Sequence, residues 1–290
     1  MKPGRGIDHL VLCVHSLDSA LAAYARLGFT LTPTAHHPWG TSNRLVQLNG
    51  NFIELLTVAD PEKIKPPAAG EFTFGAYNKA FLAKRDGFSG LVFESNDARR
   101  DQKDFAASGL QTYPTFDFSR QAKLPSGQEV TVGFSLSFVT DPRMPEVVFF
   151  VSQQHAAQHF WKPEYQRHAN GAISVSEAIM LADDPASLAG LFAGLQGKDA
   201  VATGPGQLVV KTARGQVTVL DHRRATERFG EALPKGPQSP HFIAYRIAVS
   251  DVVHTKTLLE KAGVACHTHA GALQIAASDA FNTIIEFAAA

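Results

Sequence analysis

Four segments of the chain share one signature: a residue able to cap a helix, about eleven residues, and then a glycine. They are residues 16–28 (SLDSALAAYARLG), 97–109 (DARRDQKDFAASG), 184–197 (DPASLAGLFAGLQG) and 251–263 (DVVHTKTLLEKAG). A Ser or Asp side chain accepts a bond from a free first-turn amide, and glycine takes the left-handed turn that ends a helix. Pro185 fits a first helical position, where a missing N–H costs nothing. Strand-like runs precede the four segments (IDHLVLCV, FSGLVFES, AISVSEAIML and HFIAYRIAV), and about three further β-rich runs follow each. Asn49-Gly50 marks a hairpin between two of these. Gly204-Pro205-Gly206 lacks dinucleotide-fingerprint spacing and reads as another turn.

The chain thus reads as βαβββ repeated four times. One such unit leaves the apolar face of a small sheet bare, and pairing two units covers it. The expected fold is α+β, with four βαβββ modules pairing into two curved mixed-sheet half-barrels. A length of 290 residues suits two domains. The boundaries fall at residues 1–155, a linker at 156–170 with Pro163, aromatics and no strand period, and residues 171–290. An insertion at 59–87 opens with Pro61, Pro66 and Pro67. The spacing of Phe74, Tyr77, Phe81 and Leu82 then predicts a short helix over an open sheet.

Lys and Arg number 27, as do Asp and Glu, which argues against a general nucleic-acid binder. No run of about 18 apolar residues offers a membrane span, and the opening apolar run is too short for a signal peptide. Cys13 and Cys266, in apolar strand-like runs, read as buried reduced thiols. The expected partner is a small-molecule ligand in a cytoplasmic protein, with no nucleic acid and no membrane; a homodimer is left open.

The opening GIDHLVLCVHSLDSALAAYARLGF resembles the first strand and helix of the vicinal oxygen chelate superfamily, which includes glyoxalase I, extradiol dioxygenases and antibiotic-resistance binding proteins. HPWGTSNRLVQLNGNFIELL (37–56) and FDFSRQAKLPSG (116–127) are similar to its glyoxalase-like members, over roughly the first 170 residues. The resemblance implies the glyoxalase/bleomycin resistance/dioxygenase fold, with a divalent metal held inside the cupped sheet by the first and last strands of paired modules. His9 and Glu54 match those positions. The residues agree: an acid in the apolar strand FIELL is costly unless paired, hydrogen-bonded or metal-bound. One imidazole and one carboxylate suit Zn, Mn, Fe, Co or Ni alike. His37 or His36, from the loop, is the candidate third ligand. The second module offers only Gly90 and Phe149 or Phe150 where further ligands belong, so a hydrogen-bonded pair in a metal-free cup is the alternative.

Counting seven residues back from each helix cap, as from Ser16 to His9, gives Glu177 and Ala244 in the later half, with Asp221 and Glu286 at strand ends. Only Glu286 matches an extradiol ligand set, unless His241 enters by a register change, so ring cleavage is disfavoured. Three acids on one cavity could hold a hard cation, or simply line a rim. HPWGTSNR, with Trp39, Asn43 and Arg44, is a candidate clasp for a carboxylate or phosphate, and Arg120 a second anion anchor. His155 and His159 lack the glutamate of a zinc-peptidase motif, and no Gly-x-Ser-x-Gly elbow occurs. The expected function is a glyoxalase-like, metal-dependent lyase or isomerase acting on an anionic oxo or enediol-like substrate through Glu54 and His9. The alternative is a metal-free sequestering protein of the bleomycin-resistance type.

Overall fold

A computed structural model describes residues 4–123 and 129–290. The first module comprises β1 (Ile7–Cys13), α1 (Leu17–Arg26), β2 (Ala35–His36), β3 (Thr41–Gln47) and β4 (Phe52–Val58). The insertion supplies α2 (Phe74–Leu82). The second module follows as β5 (Gly87–Glu94), α3 (Ala98–Ala107), β6 (Gln111–Thr112), β7 (Phe116–Lys123), β8 (Glu129–Thr140) and β9 (Val148–Gln154), then the single turn α4 (Ala157–Phe160). The third is β10 (Ala172–Leu181), α5 (Ala189–Gln196), β11 (Val201–Gly204), β12 (Gln207–Lys211) and β13 (Gln216–Leu220). After α6 (His222–Phe229) the fourth is β14 (His241–Val249), α7 (Val252–Lys261), β15 (His267–His269), β16 (Ala272–Ile275) and β17 (Ile284–Ala289).

The helix starts are set by side chains. Ser16 accepts from the Ser19 amide, Asp97 from Arg100, and Asp251 from Val253 and His254. Asp184 caps a short 3-10 turn at Pro185–Leu188 that leads into α5. Gly28, Gly109, Gly197 and Gly263 carry the positive φ that stops each helix.

Among the described residues the strands form two open mixed sheets, ordered β2-β3-β4-β1-β5-β9-β8-β6, with β7 on β8, and β11-β12-β13-β10-β14-β17-β16-β15. In each, the first strands of paired modules lie antiparallel at the centre and the last strands flank them in parallel. One face of each sheet joins a single core. There Phe88 stacks on Phe242 with ring centres 3.9 Å apart, and the Tyr24 and Tyr245 hydroxyls meet at 2.8 Å. Asn51, fully buried, closes the seam between the halves: its amide donates to the Val175 carbonyl and accepts from the Val175 N–H, both at 2.9 Å.

The other face of each sheet is left for a cup. Over the first sheet α2 lays Phe74, Phe81 and Leu82 against Val11, Cys13, Leu56 and Val92. Each such side chain removed from water contributes roughly 1.5–3 kcal/mol, enough to hold a nine-residue helix that would not persist alone. Cys13 is buried beneath it and Cys266 is only half-buried; both are free thiols. Over the second sheet the cover is α6, an element the sequence pattern does not announce. β13 ends at Leu220, so Asp221 is a helix cap rather than a strand-end acid.

Candidate functional site

His9 and Glu54 face the first cup from neighbouring parallel strands, β1 and β4. They are each 6% exposed, with His9 Nε2 3.8 Å from Glu54 Oε2. That gap is too long for a hydrogen bond, so the two groups look onto a common space without satisfying each other. His9 lies flat on Phe52, ring centres 4.2 Å apart, and meets the Phe150 ring edge-on at 5.6 Å. These contacts fix the imidazole plane.

A third group, absent from the sequence reading, fixes its protons. The β1–β5 ladder shifts register between Ile7 and His9, and at this irregularity the Asp8 carboxylate reaches back to His9 Nδ1 at 2.5 Å. Its other oxygen accepts from the Gln154 amide at 3.2 Å. A carboxylate oxygen is the natural acceptor for an Nδ1 proton, and this contact leaves Nε2 turned toward the cup and Glu54. Glu54 is steadied on its far side by Asn43, whose Nδ2 donates to Oε1 at 2.5 Å.

The loop before β3 builds the mouth. His37 stacks on Trp39 at 4.6 Å, and Phe118 meets the Trp39 ring edge-on at 5.0 Å. The buried indole N–H of Trp39 has no hydrogen-bond partner among the described residues. Gly40 sets the turn: its φ is +94°, and an added Cβ would strike the Asp60 carbonyl. Gly40→Ala is therefore expected to destabilise the protein by about 2–3 kcal/mol. Thermal unfolding measures the loss, and a red shift of tryptophan emission should accompany it as the loop loosens.

Arg44 does not join Asn43. Alternation along β3 turns Asn43 and Leu45 into the cup and Arg44 away from it, where its guanidinium donates to the Thr32 carbonyl at 3.2 Å. The Arg120 side chain lies outside the described residues. Among the described residues lining this cavity of about 70 Å³ none is a lysine or arginine, so no anion clasp is assembled there.

The metal set His9, Glu54 and His37 is not assembled either. His37 Nδ1 bonds the Thr41 hydroxyl at 2.8 Å, and its Nε2 lies 3.5 Å from the Asn43 amide nitrogen. Among the described residues no three His, Cys, Asp or Glu side chains are placed to hold a metal ion. Gly90 offers no donor, and Phe150 puts a phenyl ring against His9. Two protein donors, one oxygen of which is taken by an amide, fall short of the three that a resident catalytic metal draws from protein.

In the second cup Glu177 and Glu286 do converge, but on a cation of the chain's own. Arg228, from α6, bonds both: Nη2 is 2.6 Å from Glu177 Oε2 and also bonds Glu286 Oε2, while Nε lies 3.2 Å from Glu286 Oε1. Arg246 Nε adds a bond to Glu286 Oε2 at 3.0 Å. Burial alone would raise both carboxyls; the Arg228 bonds and charge, with Arg246 and neighbouring Thr218 and Gln274, outweigh it and hold both below the ordinary value. His241 stays apart, its Nδ1 on the Ser239 carbonyl. Of the two readings of these acids, the cation site is not assembled, because a guanidinium fills the place and Asp221 is spent on the helix cap. His155 bonds the Ser135 hydroxyl at 2.8 Å and precedes α4, so it shares no helix face with His159.

No curated protein sequence matches the chain. Solved structures of similar fold include a hypothetical protein from Staphylococcus aureus, 14% identical over 98% of this chain and 99% of that one, TM-score 0.67. A mutant of 4-hydroxymandelate synthase from Streptomyces coelicolor is 12% identical over 98% and 92%, TM-score 0.59. The Mn(II)-bound glyoxalase from Novosphingobium aromaticivorans is 10% identical over 99% and 82%, TM-score 0.58. At these identities they show the fold alone, and they bear out two open mixed sheets of the glyoxalase kind. The glyoxalase-like domain family matches residues 7–196, more than half of the sequence, and the chain belongs to that family.

Proposed function

We propose that the first cup is the active site of a small-molecule lyase or isomerase that moves a proton beside a carbonyl group. One observation carries this reading: Asp8 engages His9 Nδ1 and leaves Nε2 aimed at the space shared with Glu54, 3.8 Å away, inside an aromatic wall. A base and a second proton carrier on one side of a small cavity are what removal of a proton α to a carbonyl requires. His9 Nε2 takes the α-proton of an oxo compound, and the Glu54 carboxyl delivers a proton to the developing enolate oxygen. Glu54, now ionised, takes a hydroxyl proton from the resulting enediol-like species while protonated His9 returns its proton to the adjacent carbon, which is isomerisation; if instead a group leaves the β-carbon with its bonding electrons as Glu54 takes that proton, the outcome is a lyase step. The aromatic lining and the lack of a described cationic side chain suit a flat, uncharged oxo compound better than an anion. No step is routed through a metal, because the donor set does not complete one.

The test follows exchange of the α-protons of a panel of aromatic α-hydroxy ketones in D2O by proton NMR. Wild-type protein is expected to accelerate deuterium uptake for at least one of them, undiminished by chelator. Loss of exchange on chelation and recovery with added Mn(II) would overturn the metal-free route, and no exchange with any ketone would overturn the catalytic reading. The second reading, sequestration of an aromatic ligand, draws on the Trp39–His37–Phe118 platform and the unpartnered indole N–H. It predicts saturable quenching of tryptophan emission by such ketones with no exchange.

A further inference from the structure

The second cup is the opposite of the first: a cavity of about 420 Å³ lined mostly by polar side chains, among them Arg224, Arg246, Gln207 and Gln216. We propose that it binds a small hydroxylated molecule carrying a carboxylate or phosphate, held by the guanidinium groups of Arg224 and Arg246. Arg228 already neutralises the inner acids from within the chain.

The charges show which sign of ligand fits. Arg228 and Arg246 balance Glu177 and Glu286, and Glu227 at the rim is bonded by Arg223. Arg224 is left over. Its Nε donates to the Pro205 carbonyl at 2.6 Å, and both terminal nitrogens have no hydrogen-bond partner among the described residues. Arg246 spends only its Nε, toward Glu286 and Glu177, so its terminal nitrogens are likewise uncommitted. Two half-exposed forks with donors unspent, in a cavity of ligand size, match the planar geometry of an oxyanion. The inner acids do not repel it, being already covered by Arg228.

Hydroxyl recognition comes from the remaining wall. The Gln207 side chain makes no hydrogen bond among the described residues, and Gln216 uses only its nitrogen, on Glu177 and Thr218, leaving its carbonyl oxygen as an acceptor. Amide donors and acceptors beside an oxyanion clasp are the complement of a sugar acid or a sugar phosphate. The four side chains offered to the ligand sit on β12, β13, β14 and α6, beyond the residues that the family match covers, while Glu177 on β10 lies within them.

Titration calorimetry of the full chain with 6-phosphogluconate, D-gluconate and inorganic phosphate, and with D-glucose as the uncharged control, tests the assignment. Saturable binding of at least one oxyanion is expected, weakened at least about tenfold by Arg224→Gln and by Arg246→Gln, as loss of a charge-assisted bond requires. Gluconate without phosphate points to a carboxylate ligand, phosphate without gluconate to a phosphate ester. Arg224 stands outside the buried ion network, so Arg224→Gln decides the matter even if Arg246→Gln does not fold. No saturable heat from any oxyanion at about 10 mM, equal affinity for D-glucose, or binding undiminished in Arg224→Gln would each overturn the proposal.

Discussion

Arg228→Met lowers the stability of this protein by about 3 kcal/mol at neutral pH, read as a fall in the urea midpoint. Arg228 Nη2 bonds both Glu177 and Glu286, which are 5% and 1% exposed as side chains. Removing the cation strands two buried carboxylates side by side, with Arg246 left to cover them at 3.0 and 3.6 Å. The matched control is Arg223→Met, which breaks an exposed pair with Glu227 one helical turn away and costs at most about 1 kcal/mol. The triple variant Arg228→Met, Glu177→Gln, Glu286→Gln regains part of the loss, because the penalty lies in the stranded charges more than in the missing side chain. A single variant no weaker than the control would show that the network is not buried as described.

The same network sets an acid limb. Both carboxyls titrate below their ordinary 4.5 in the folded state, so the stability they lend is whole above about pH 4.5 and drains away as pH falls through their folded values. Without Arg228 the carboxyls are no longer held down, and protonation relieves the variant as it weakens the wild type. The gap between the two urea midpoints therefore narrows between pH 7 and about pH 3. A gap that stays constant would mean that Arg228 acts through packing alone.

Much of the architecture is written locally and can be read without the fold. A capping Ser16, Asp97 or Asp251, a helix of set length and a stopping glycine are interactions within a dozen residues, and the structure makes each of them. His9 and Glu54 are legible for a different reason: a charged residue inside a buried strand has to be explained by something. What defeats sequence reasoning is parity and distance. Asn43 and Arg44 are neighbours on one strand, and alternation, readable in the sequence, allows only one of them into the cup; the fold selects Asn43. Asp8 escapes the same rule from the other side, since strict alternation turns it away from His9, and only the shifted ladder brings it back. Arg228 could not be placed at all, because HRRATERF reads as a solvated polar stretch until Ala225 and Phe229 are seen to anchor it over the second sheet.

Asp8 supplies the sharpest test of the chemistry proposed for the first cup. In Glu54→Gln the group that gives a proton to the developing oxygen is gone while the Asn43 contact can persist, so deuterium uptake should fall by about 10²- to 10⁴-fold. Asp8→Asn leaves every lining atom in place and acts only through His9: an amide NH2 facing Nδ1 favours the tautomer with the proton on Nε2, which cannot take a second one as a neutral base. We expect about 10²-fold or more off kcat with little change in KM, since nothing that touches the substrate has moved. Nitrogen-15 NMR of the imidazole separates this from a merely structural effect, because the protonated nitrogen should switch from Nδ1 in the wild type to Nε2 in the variant. A variant that keeps the wild-type tautomer and full exchange would leave Asp8 a packing residue and His9 a spectator. A variant that switches tautomer yet exchanges normally would move the base to Glu54.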